Sequence, residues 1–315
     1  CKTLPKDILP PKKKIIVIGD IHADFKNLFK LFLKLKLIDI NKRWIAKPLD
    51  TVVIQVGDQL DGGGRFSKEV SGENNILDFM EFIHEQAIVY GGGVYSLIGN
   101  HELMNVLGDF RYASKKDIED NLGEENRKKL YSQGGKLAMR LSCTRNFVMK
   151  IGSFLFAHAG ILPKMLRNQD LNKDLNKDLN KNLNKDKMIQ YLNNLMRDYL
   201  QNKKVDEDAI DKYFKSSNSI LWNRKYGKVN NDNQDNQSNY KDDNTCKDLN
   251  EVLDYFSVNG MIIGHTPQKE ISSACNKKLW KVDVGISDAF NVKDGNKLQV
   301  LEIIDDGKEM NTLTI

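Results

Sequence analysis

The stretch Ile15-Ile16-Val17-Ile18-Gly19-Asp20-Ile21-His22 determines how the chain begins to fold. Its first four residues form a short continuous apolar run, which predicts a β-strand buried on both faces. The run ends at Gly19 and Asp20. A helix is predicted over residues 24–38, because apolar side chains recur there near helical spacing and Asp24 suits the N-cap. The chain therefore opens with a buried strand, a polar turn and a helix.

The buried strand followed by a polar turn recurs twice in the next eighty residues. Residues 51–56 form a second apolar run that ends in Gly57-Asp58, and residues 93–98 form a third that ends in Gly99-Asn100. A second helix is predicted between these strands, over residues 74–88. Strands that alternate with helices indicate an α/β layer structure, in which ligands bind outside the carboxyl ends of the strands.

The second half of the chain carries mostly strand patterns, with few helical patterns between them. These patterns predict a second sheet, mixed or antiparallel. The expected fold class is therefore α/β (α+β), a β-sandwich of two mixed sheets flanked by helices, in one domain over residues 15–315. Residues 1–14, with three prolines and a run of three lysines, are expected to form an N-terminal arm. The strand-like segments are residues 147–151, 153–157, 258–264, 279–286 and 297–304.

Two polar stretches are expected to be low-complexity insertions in surface loops of this domain. The first, near residues 170–187, repeats Leu-Asn-Lys-Asp with leucines four positions apart, and the second, near 228–248, is rich in Asn, Asp and Gln. The alternative for the first is an amphipathic helix that binds a partner, but a stripe one leucine wide buries little surface. Deleting residues 171–186 is therefore expected to leave activity on a small aryl phosphate nearly intact.

Composition sets few limits on partners or compartment. The chain has 48 Lys and Arg against 43 Asp and Glu residues, without the basic stripe of a nucleic-acid binder, so nucleic acid is not an expected partner. No apolar run reaches the roughly 18 residues that a transmembrane helix needs. The start at Cys1 indicates a processed or trimmed chain, and compartment and oligomeric state stay open.

Free thiols are expected, because no Cys-x-x-Cys pair occurs among Cys1, Cys143, Cys246 and Cys275.

Four of the five histidines lie in polar clusters directly after apolar strands; the fifth, His84, lies in a helical pattern and is expected to be structural. A single histidine after a strand is usually a turn residue. Four of them, with aspartates and an asparagine, indicate a metal site, because oxygen and imidazole ligands suit hard and borderline ions. Two ions about 3.5–4 Å apart need a bridging carboxylate, and Asp58 is the natural candidate. The clusters are Gly19-Asp20-Ile21-His22, Gly57-Asp58-Gln59-Leu60-Asp61, Gly99-Asn100-His101-Glu102, Ala157-His158-Ala159-Gly160 and Gly264-His265-Thr266.

The order of these clusters resembles the signature of the calcineurin-like metallophosphoesterases and, within them, of the phosphoprotein phosphatase family. The run from Gly99 to Asn105, followed by Gly108-Asp109-Phe110-Arg111-Tyr112, resembles the Shewanella-like protein phosphatases. The Asn- and Lys-rich insertions are similar to those of malaria-parasite proteins, which points to an apicomplexan source. The resemblance implies a metal-dependent enzyme that hydrolyses phosphomonoesters on phosphoproteins by direct attack of metal-bound hydroxide.

The resemblance also implies roles for single residues. His101 is the general acid that protonates the leaving oxygen, and Asp61 holds its imidazole in the protonated form. For Glu102 the resemblance gives no role, and the residue is expected only to orient local backbone. The cofactor implied is a pair of divalent or trivalent ions, Mn, Fe or Zn. The ligands implied are Asp20, His22 and Asp58 for one ion, and Asp58, Asn100, His158 and His265 for the other.

The match departs from the family at one position. The family's second motif continues Asp-Arg-Gly, and its arginine binds phosphate, whereas here Gly62 follows Asp61. Either Arg65 reaches back over the glycine loop, or that phosphate contact is lost. The missing arginine fits a preference for phosphotyrosine, because a phenol leaves more easily than an alkyl alcohol and needs less charge stabilisation. Replacing Gly62 with Arg is then expected to raise phosphoserine turnover more than phosphotyrosine turnover. The residues expected to bind phosphate are Asn100, Arg224, Arg65 and Arg111.

Two alternatives stay open at this stage. One is a nucleotide or dinucleotide phosphohydrolase on the same scaffold, which would need a base-binding surface that the sequence does not reveal. The other is a pseudophosphatase that binds phosphoproteins without turnover; the missing arginine favours it and the complete ligand set opposes it. A cysteine-dependent phosphatase mechanism is not expected, because no Cys-x5-Arg loop is present.

Overall fold

The computed structural model describes residues 1, 3–64, 68–167, 181–232, 243–290 and 298–315. The strands are β1 (Ile8–Leu9), β2 (Lys14–Ile18), β3 (Val52–Gln55), β4 (Gly93–Ser96), β5 (Val148–Ile151), β6 (Phe154–Ala157), β7 (Gly260–Ile263), β8 (Ser272–Ala274), β9 (Leu279–Lys281), β10 (Gln299–Ile304) and β11 (Glu309–Thr314). The α-helices are α1 (Phe25–Lys34), α2 (Glu73–Ile88), α3 (Asn100–Val106), α4 (Lys115–Asp120), α5 (Glu124–Tyr131), α6 (Lys136–Thr144), α7 (Pro163–Leu166), α8 (Lys181–Leu200), α9 (Glu207–Ile210) and α10 (Asp243–Phe256).

The strands form two mixed sheets. The five-stranded sheet has the order β11-β10-β2-β3-β4, and the six-stranded sheet has the order β1-β5-β6-β7-β9-β8. In the first sheet β2, β3 and β4 are parallel neighbours, and β10 pairs with β2 in the antiparallel sense. In the second sheet β6, β7 and β9 are parallel. Because neighbouring parallel strands end on the same side, the turns that follow them share one edge of each sheet.

The two sheets face each other across an apolar core. Phe154 and Phe156 of β6 belong to the cluster that includes Val17 of the first sheet, whereas Leu155 belongs to a second cluster with side chains of the helices. Both faces of the second sheet are thus covered, which explains why its strands read as continuous apolar runs. β2 shows the same pattern, because each residue from Ile15 to Ile18 is at most 1% exposed.

The expected fold class is confirmed, since two mixed sheets are flanked by helices. The first predicted helix also forms: α1 begins after Asp24, whose carboxylate accepts a hydrogen bond from the backbone N–H of Asn27 at 2.9 Å. It ends at Lys34 rather than at residue 38. The chain leaves the helical conformation at Lys36, which has a positive φ of 53°.

Two expectations for the second half of the chain are wrong. The segment 297–304 contains β10, which pairs with β2 of the first sheet rather than joining the second. An apolar strand pattern predicts burial but does not name the neighbouring strand, so the sequence did not assign this pairing. Helices are also more frequent than expected, since α7 to α10 lie between β6 and β7. None of the described helices has the length and apolar character that crossing a bilayer requires.

The arm and the insertions are partly integrated into the fold. Ile8 and Leu9 of the expected arm form β1, which pairs with β5. Within the first insertion, residues 168–180 lie outside the described residues, whereas residues 181–187 belong to the start of α8. Residues 233–242 of the second insertion also lie outside the described residues, and α10 begins directly after them.

The expectation of free thiols is wrong, because all four cysteines are paired. Cys1 is bonded to Cys143 and Cys246 to Cys275, with Cα–Cα distances of 5.2 and 5.4 Å. The partners are 142 and 29 residues apart in sequence. Only the folded chain brings such distant cysteines together, so a search for closely spaced pairs does not find them.

Candidate metal centre

Five polar turns converge where the parallel strands of the two sheets end. The turns follow β2, β3 and β4 of the first sheet and β6 and β7 of the second. Several of their residues have left-handed backbone conformations although they carry side chains: φ is 43° at His22, 55° at Asp58 and 67° at His265. Such conformations are uncommon outside glycine and cluster at functional sites. These tight turns direct side chains from five strands into one space.

The six residues expected to bind metal lie together, each within 3.9 Å of another of the six. The Oδ1 atom of Asn100 is 2.9 Å from Nε2 of His158 and 2.8 Å from Nδ1 of His265. The Oδ2 atom of Asp58 is 3.3 Å from Nε2 of His158 and 3.9 Å from Nε2 of His22. Asp58 thus lies centrally, as a bridging ligand would.

Histidine nitrogens and carboxylate oxygens form two groups that share Asp58. Within each group the ligand atoms lie within 4.8 Å of one another. One group matches ligands expected for the second ion, but the other contains His101 where Asp20 was expected. The carboxylate of Asp20 lies nearby, where it accepts the backbone N–H of His265 at 3.0 Å. The group that matches the second ion consists of Asp58, His158 and His265. The other group consists of His22, Asp58 and His101.

The histidine rings are arranged to bind cations. His158 has the carbonyl oxygen of Val56 2.8 Å from Nδ1 and the Asn100 oxygen 2.9 Å from Nε2. His265 likewise has the carbonyl oxygen of Trp222 3.2 Å from Nε2 and the Asn100 oxygen 2.8 Å from Nδ1. A neutral imidazole has one N–H and can donate to only one of these oxygens, so a cation suits the other nitrogen. Burial, followed by the neighbouring His158, lowers the pKa of His265 to about 3, which keeps this ring neutral.

Three buried carboxylates also favour the binding of cations at this site. Asp20, Asp58 and Asp283 are each at most 2% exposed. Burial, then repulsion from Asp283 and Asp58, raises the pKa of Asp20 well above its usual range. Bound cations would offset this repulsion, and the set of oxygen and imidazole donors suits transition metal ions. The residues present therefore fit a two-metal centre.

Asp283 was not among the predicted site residues, although it lines the same cavity. It follows β9 after Val282, so it occupies the same kind of position as the other candidate ligands. In sequence Asp283 lies inside the segment 279–286, which was expected to be a strand throughout, so no strand end marked it. β9 ends earlier, at Lys281, and only the structure places Asp283 in a turn.

His101 and Asp61, the expected catalytic pair, are in contact. Nδ1 of His101 lies 2.7 Å from Oδ2 of Asp61, and both residues are buried. Nε2 of His101 lies 3.9 Å from Oδ2 of Asp58 and so faces the candidate metal ligands. With its Nδ1–H held by a carboxylate, the ring can give a proton from Nε2 to a group bound there.

Glu102 fixes the backbone of two site turns, which agrees with its expected role. Its carboxylate accepts hydrogen bonds from the backbone N–H groups of Asp58 (3.0 Å), Gln59 (2.8 Å), Leu60 (3.1 Å) and Gly99 (2.6 Å). Gly99 also allows Asp58 to approach the turn after β4 closely, because a Cβ at position 99 would lie 2.2 Å from Oδ1 of Asp58. The turns after β3 and β4 are therefore held as one unit.

The arginines expected to bind phosphate occupy different positions. Arg224 lines the cavity, and its Nη1 donates to the carbonyl oxygen of His265 at 3.1 Å. Arg111 also lines the cavity, but its side chain is largely exposed and pairs with Asp109 at 2.9 Å. Arg65 lies outside the described residues. Arg224 is thus the candidate that the structure holds in place at the cavity wall.

Gly62, which stands where the family carries arginine, has no room for a side chain. A Cβ at this position would lie 2.2 Å from the carbonyl oxygen of Val70 and 2.9 Å from Cβ of Ala23. The backbone of Val70 also donates a hydrogen bond to the carbonyl oxygen of Gly62 at 2.8 Å. The expectation that an arginine here would restore a phosphate contact is therefore wrong, because the following loop packs directly on this residue.

Aromatic rings form one wall of the cavity, whose volume is about 390 Å³. The Tyr112 ring centroid lies 5.2 Å from that of His101, and the Phe290 centroid lies 5.1 Å from that of His22. The two histidine rings are 4.8 Å apart. Tyr112 and Phe290 thus extend the row of histidine rings on either side. Sequence reasoning quoted Tyr112 only as part of a motif and did not single out Phe290, because only the fold brings their rings to the cavity.

Comparison with known proteins supports the resemblance. The family model for calcineurin-like phosphoesterase matches residues 13–269. An uncharacterized protein of Acanthamoeba polyphaga mimivirus is 33% identical over 253 residues, which is 72% of this chain and 95% of that protein. Shewanella-like protein phosphatase 2 of Arabidopsis thaliana is 27% identical over 87% of this chain and 72% of its own length. Shewanella-like protein phosphatase 1 of Plasmodium berghei is 27% identical over 87% and 67%.

Solved structures show the same fold. A cold-active protein tyrosine phosphatase of a Shewanella species superposes with a TM-score of 0.69 at 22% identity, covering 99% of this chain and 83% of that one. A protein serine/threonine phosphatase of Saccharomyces cerevisiae superposes with a TM-score of 0.58 at 12% identity, covering 100% and 84%. Calcineurin-like phosphoesterases use a dinuclear metal centre, which agrees with the two ligand groups that share Asp58. The chain therefore belongs to the calcineurin-like phosphoesterase family, with Shewanella-like protein phosphatases among its relatives.

Proposed function

We propose that this phosphoesterase is a protein phosphatase that acts on phosphomonoesters and prefers phosphotyrosine. The observation that carries the proposal is the position of His101, whose Nε2 faces the candidate metal ligands while Asp61 holds its Nδ1. A phosphate bound beside those ligands has a proton donor next to its leaving oxygen. The names of the relatives from Arabidopsis thaliana and Plasmodium berghei support protein substrates.

Each group at the site has a distinct task. Two metal ions, proposed as Mn, Fe or Zn, would be held by the six candidate ligands and would supply charge for the phosphate and activate a water molecule. Asn100 and Arg224 bind phosphate oxygens from the cavity wall. His101 gives the proton on its Nε2 to the leaving oxygen, and Asp61 stabilises the imidazolium until then. Glu102 keeps the turns that carry Asp58 and Asn100 in register.

The aromatic wall supports the preference for phosphotyrosine. Tyr112 and Phe290 flank the histidine row at centroid distances of 5.2 and 5.1 Å, and aromatic rings attract one another at separations of about 4.5–7 Å. A phenyl ring attached to the phosphate would add an aromatic surface for contact with this wall, which the single methylene of phosphoserine lacks. Gly62 in place of arginine also favours a phenol, which leaves with less charge stabilisation.

The test is kcat/KM of the metal-reconstituted protein on three matched peptides, carrying phosphotyrosine, phosphoserine and phosphothreonine, and on a diadenosine polyphosphate. We expect the phosphotyrosine peptide to react fastest. The variants Tyr112→Ala and Phe290→Ala should each reduce kcat/KM on the phosphotyrosine peptide by about 2–10-fold, which corresponds to the free energy of one aromatic pair. Both variants should affect the phosphoserine peptide less.

Other outcomes identify other functions. Faster turnover of the diadenosine polyphosphate would indicate a nucleotide hydrolase, and absence of turnover by protein that holds two ions would indicate a phosphoprotein-binding module. A phosphoserine preference with both variants unaffected would leave a protein phosphatase but overturn the role of the aromatic wall.

A further inference from the structure

Arg127 of α5 is a fully buried cation beside the catalytic pair. It is 0% exposed, and it is not among the side chains that line the cavity. Its guanidinium packs against the rings of Tyr131 and Phe110, at 4.8 and 5.4 Å from their centroids. A buried charge is costly unless partners satisfy it, so its partners indicate what it does.

Those partners connect Arg127 to Asp61 by three routes. Nη1 and Nη2 donate to Glu73 at 2.7 and 3.0 Å, and a carboxylate oxygen of Glu73 in turn accepts the backbone N–H of Asp61 at 2.9 Å. Nε and Nη2 donate to the side-chain oxygen of Asn105 at 2.9 and 2.6 Å, and the amide of Asn105 donates to Oδ1 of Asp61 at 2.9 Å. Nη2 itself lies 3.6 Å from Oδ1 of Asp61.

The charges along this network alternate in sign. Glu73 and Asp61 are carboxyl groups, 1% and 0% exposed, with Arg127 between them and His101 at the cavity end. Without the guanidinium, two buried carboxyl groups would lie close together without the donor that lies between them and holds both in place.

We propose that Arg127 is a positioning residue for general acid catalysis: acting through Glu73 and Asn105, it holds the carboxylate of Asp61 oriented towards His101. Asp61 in turn holds the ring of His101 through Nδ1 at 2.7 Å, so the effect of Arg127 reaches the leaving oxygen by way of Asp61 and His101 and without direct contact. This inference rests on the proposed hydrolysis of phosphomonoesters. It assigns no phosphate contact to Arg127, which distinguishes it from Arg224 at the cavity wall.

The alternative is that Arg127 only stabilises the packing of α5 against α3. The two roles differ in how the loss of activity depends on the leaving group. A general acid matters little when the leaving group is a weakly basic phenol and matters most when it is strongly basic. A packing defect lowers turnover of all substrates alike.

The experiment measures kcat of metal-loaded protein on a series of aryl phosphates, from 2,4-dinitrophenyl to phenyl phosphate. For Arg127→Met we expect kcat to fall by less than about 3-fold on 2,4-dinitrophenyl phosphate and by about 10–100-fold on phenyl phosphate. The larger loss is part of the rate enhancement that general acid catalysis provides. Arg127→Lys keeps the charge without the fork of N–H donors, so its loss on phenyl phosphate should be smaller. The double variant His101→Ala/Arg127→Met should be no slower than His101→Ala.

Arg197 provides the matched control. It is also buried, at 5% exposure, and its Nη2 contacts Asp7 and Asn146 at 2.8 and 2.7 Å, away from the catalytic pair. Arg197→Met should lower stability without changing the dependence on the leaving group. If Arg127→Met does not fold, Asn105→Ser takes its place in the experiment. This variant removes one of the three connections between Arg127 and Asp61 with a smaller change in side-chain volume.

Two results would overturn the inference. One is an equal loss on all aryl phosphates in Arg127→Met, or in Asn105→Ser if the first variant does not fold. The other is a double variant much slower than His101→Ala alone. Failure of the wild-type protein to hydrolyse any aryl phosphate would instead refute the proposed function, so the two failures are distinguishable.

Discussion

At the scale of single residues, His101 has two possible roles that the geometry brings close together. Its Nε2 lies within 4.8 Å of ligand atoms of His22 and Asp58, as a metal ligand would, while its Nδ1 is held by Asp61 at 2.7 Å. An imidazole that donates to a carboxylate is found in both roles. Only a measurement that separates metal content from turnover assigns it.

We expect His101→Ala to lower kcat on a substrate with a poor leaving group by about 10²–10⁴-fold, the range for a lost general acid. The metal content should stay unchanged. Inductively coupled plasma analysis of the purified variant checks the second point. The control is His84→Ala, because His84 contacts the backbone of Val94 at 2.8 Å, away from the cavity, and should affect stability only. Loss of metal from His101→Ala would make this residue a ligand.

Gly62 gives a second prediction at this scale. Because a Cβ there would lie 2.2 Å from a backbone oxygen of the following loop, Gly62→Arg and Gly62→Ala should both destabilise the fold by about 1–3 kcal/mol or more, as overpacking does. Neither should improve turnover of phosphoserine. Denaturant unfolding measures the first effect. A Gly62→Arg variant of unchanged stability and higher phosphoserine turnover would contradict this account.

Residue patterns predicted the site only where the information is local. The Gly-Asp, Gly-Asn-His-Glu and Gly-His clusters combine a turn residue with a ligand type, so sequence alone indicates chemistry there. Arg127 and Glu73 contact each other across 54 positions in sequence, and no local pattern marks either of them. Asp283 and Phe290 reach the cavity from the last third of the chain for the same reason. Their roles depend on long-range contacts, which only the fold defines.

At the scale of elements, buried strands were predicted more reliably than helices. β2, β3 and β4 are covered on both faces, so their sequences are continuous apolar runs. The short helices α4 and α5 carry many charged residues and bury few side chains. Such helices show no apolar stripe, and their stability comes from tertiary contacts such as that of Arg127 with Glu73.

The start of α8 refines the expected effect of deleting the first insertion. Removal of residues 171–180 should leave stability and turnover of a small aryl phosphate unchanged. Removal of 171–190 should abolish soluble expression, because it takes away Met188 and Ile189, which are 1% and 0% exposed, and each such loss costs about 2–5 kcal/mol. Soluble yield and thermal unfolding compare the two deletions. Equal behaviour of both would contradict the boundary at Lys181.

At the scale of the whole molecule, two disulfides tie distant parts of the chain together. Cys1–Cys143 joins the N-terminal residue to the end of α6, and Cys246–Cys275 joins α10 to the turn after β8. Paired cysteines persist in oxidising compartments and are rare where thiols are kept reduced. The spacing of the cysteines in sequence did not predict this pairing, because only the fold brings the partners together.

The metal ions should also contribute to the stability of the whole molecule. Asp20, Asp58 and Asp283 are at most 2% exposed, and burial together with repulsion from Asp283 and Asp58 raises the pKa of Asp20, so a centre that loses its cations keeps this repulsion in the core. A ligand at 100 times its Kd stabilises the folded state by about 2.7 kcal/mol. Treatment with a chelator should therefore lower Tm by several degrees, and added Mn²⁺ should restore it.

Asp283→Asn tests whether repulsion between the buried carboxylates causes the lower Tm of the metal-free protein. Removing one of the three carboxylates lowers the repulsion in metal-free protein, so the variant should have a higher Tm than the wild type after chelation and a smaller gain on adding Mn²⁺. Asp198→Asn is the matched control, because Asp198 pairs with Lys203 on the surface of α8 at 2.8 Å and should leave both values unchanged. A chelator that removes the ions without changing Tm would contradict the electrostatic account, since the buried carboxylates would then be stable without a counter-charge.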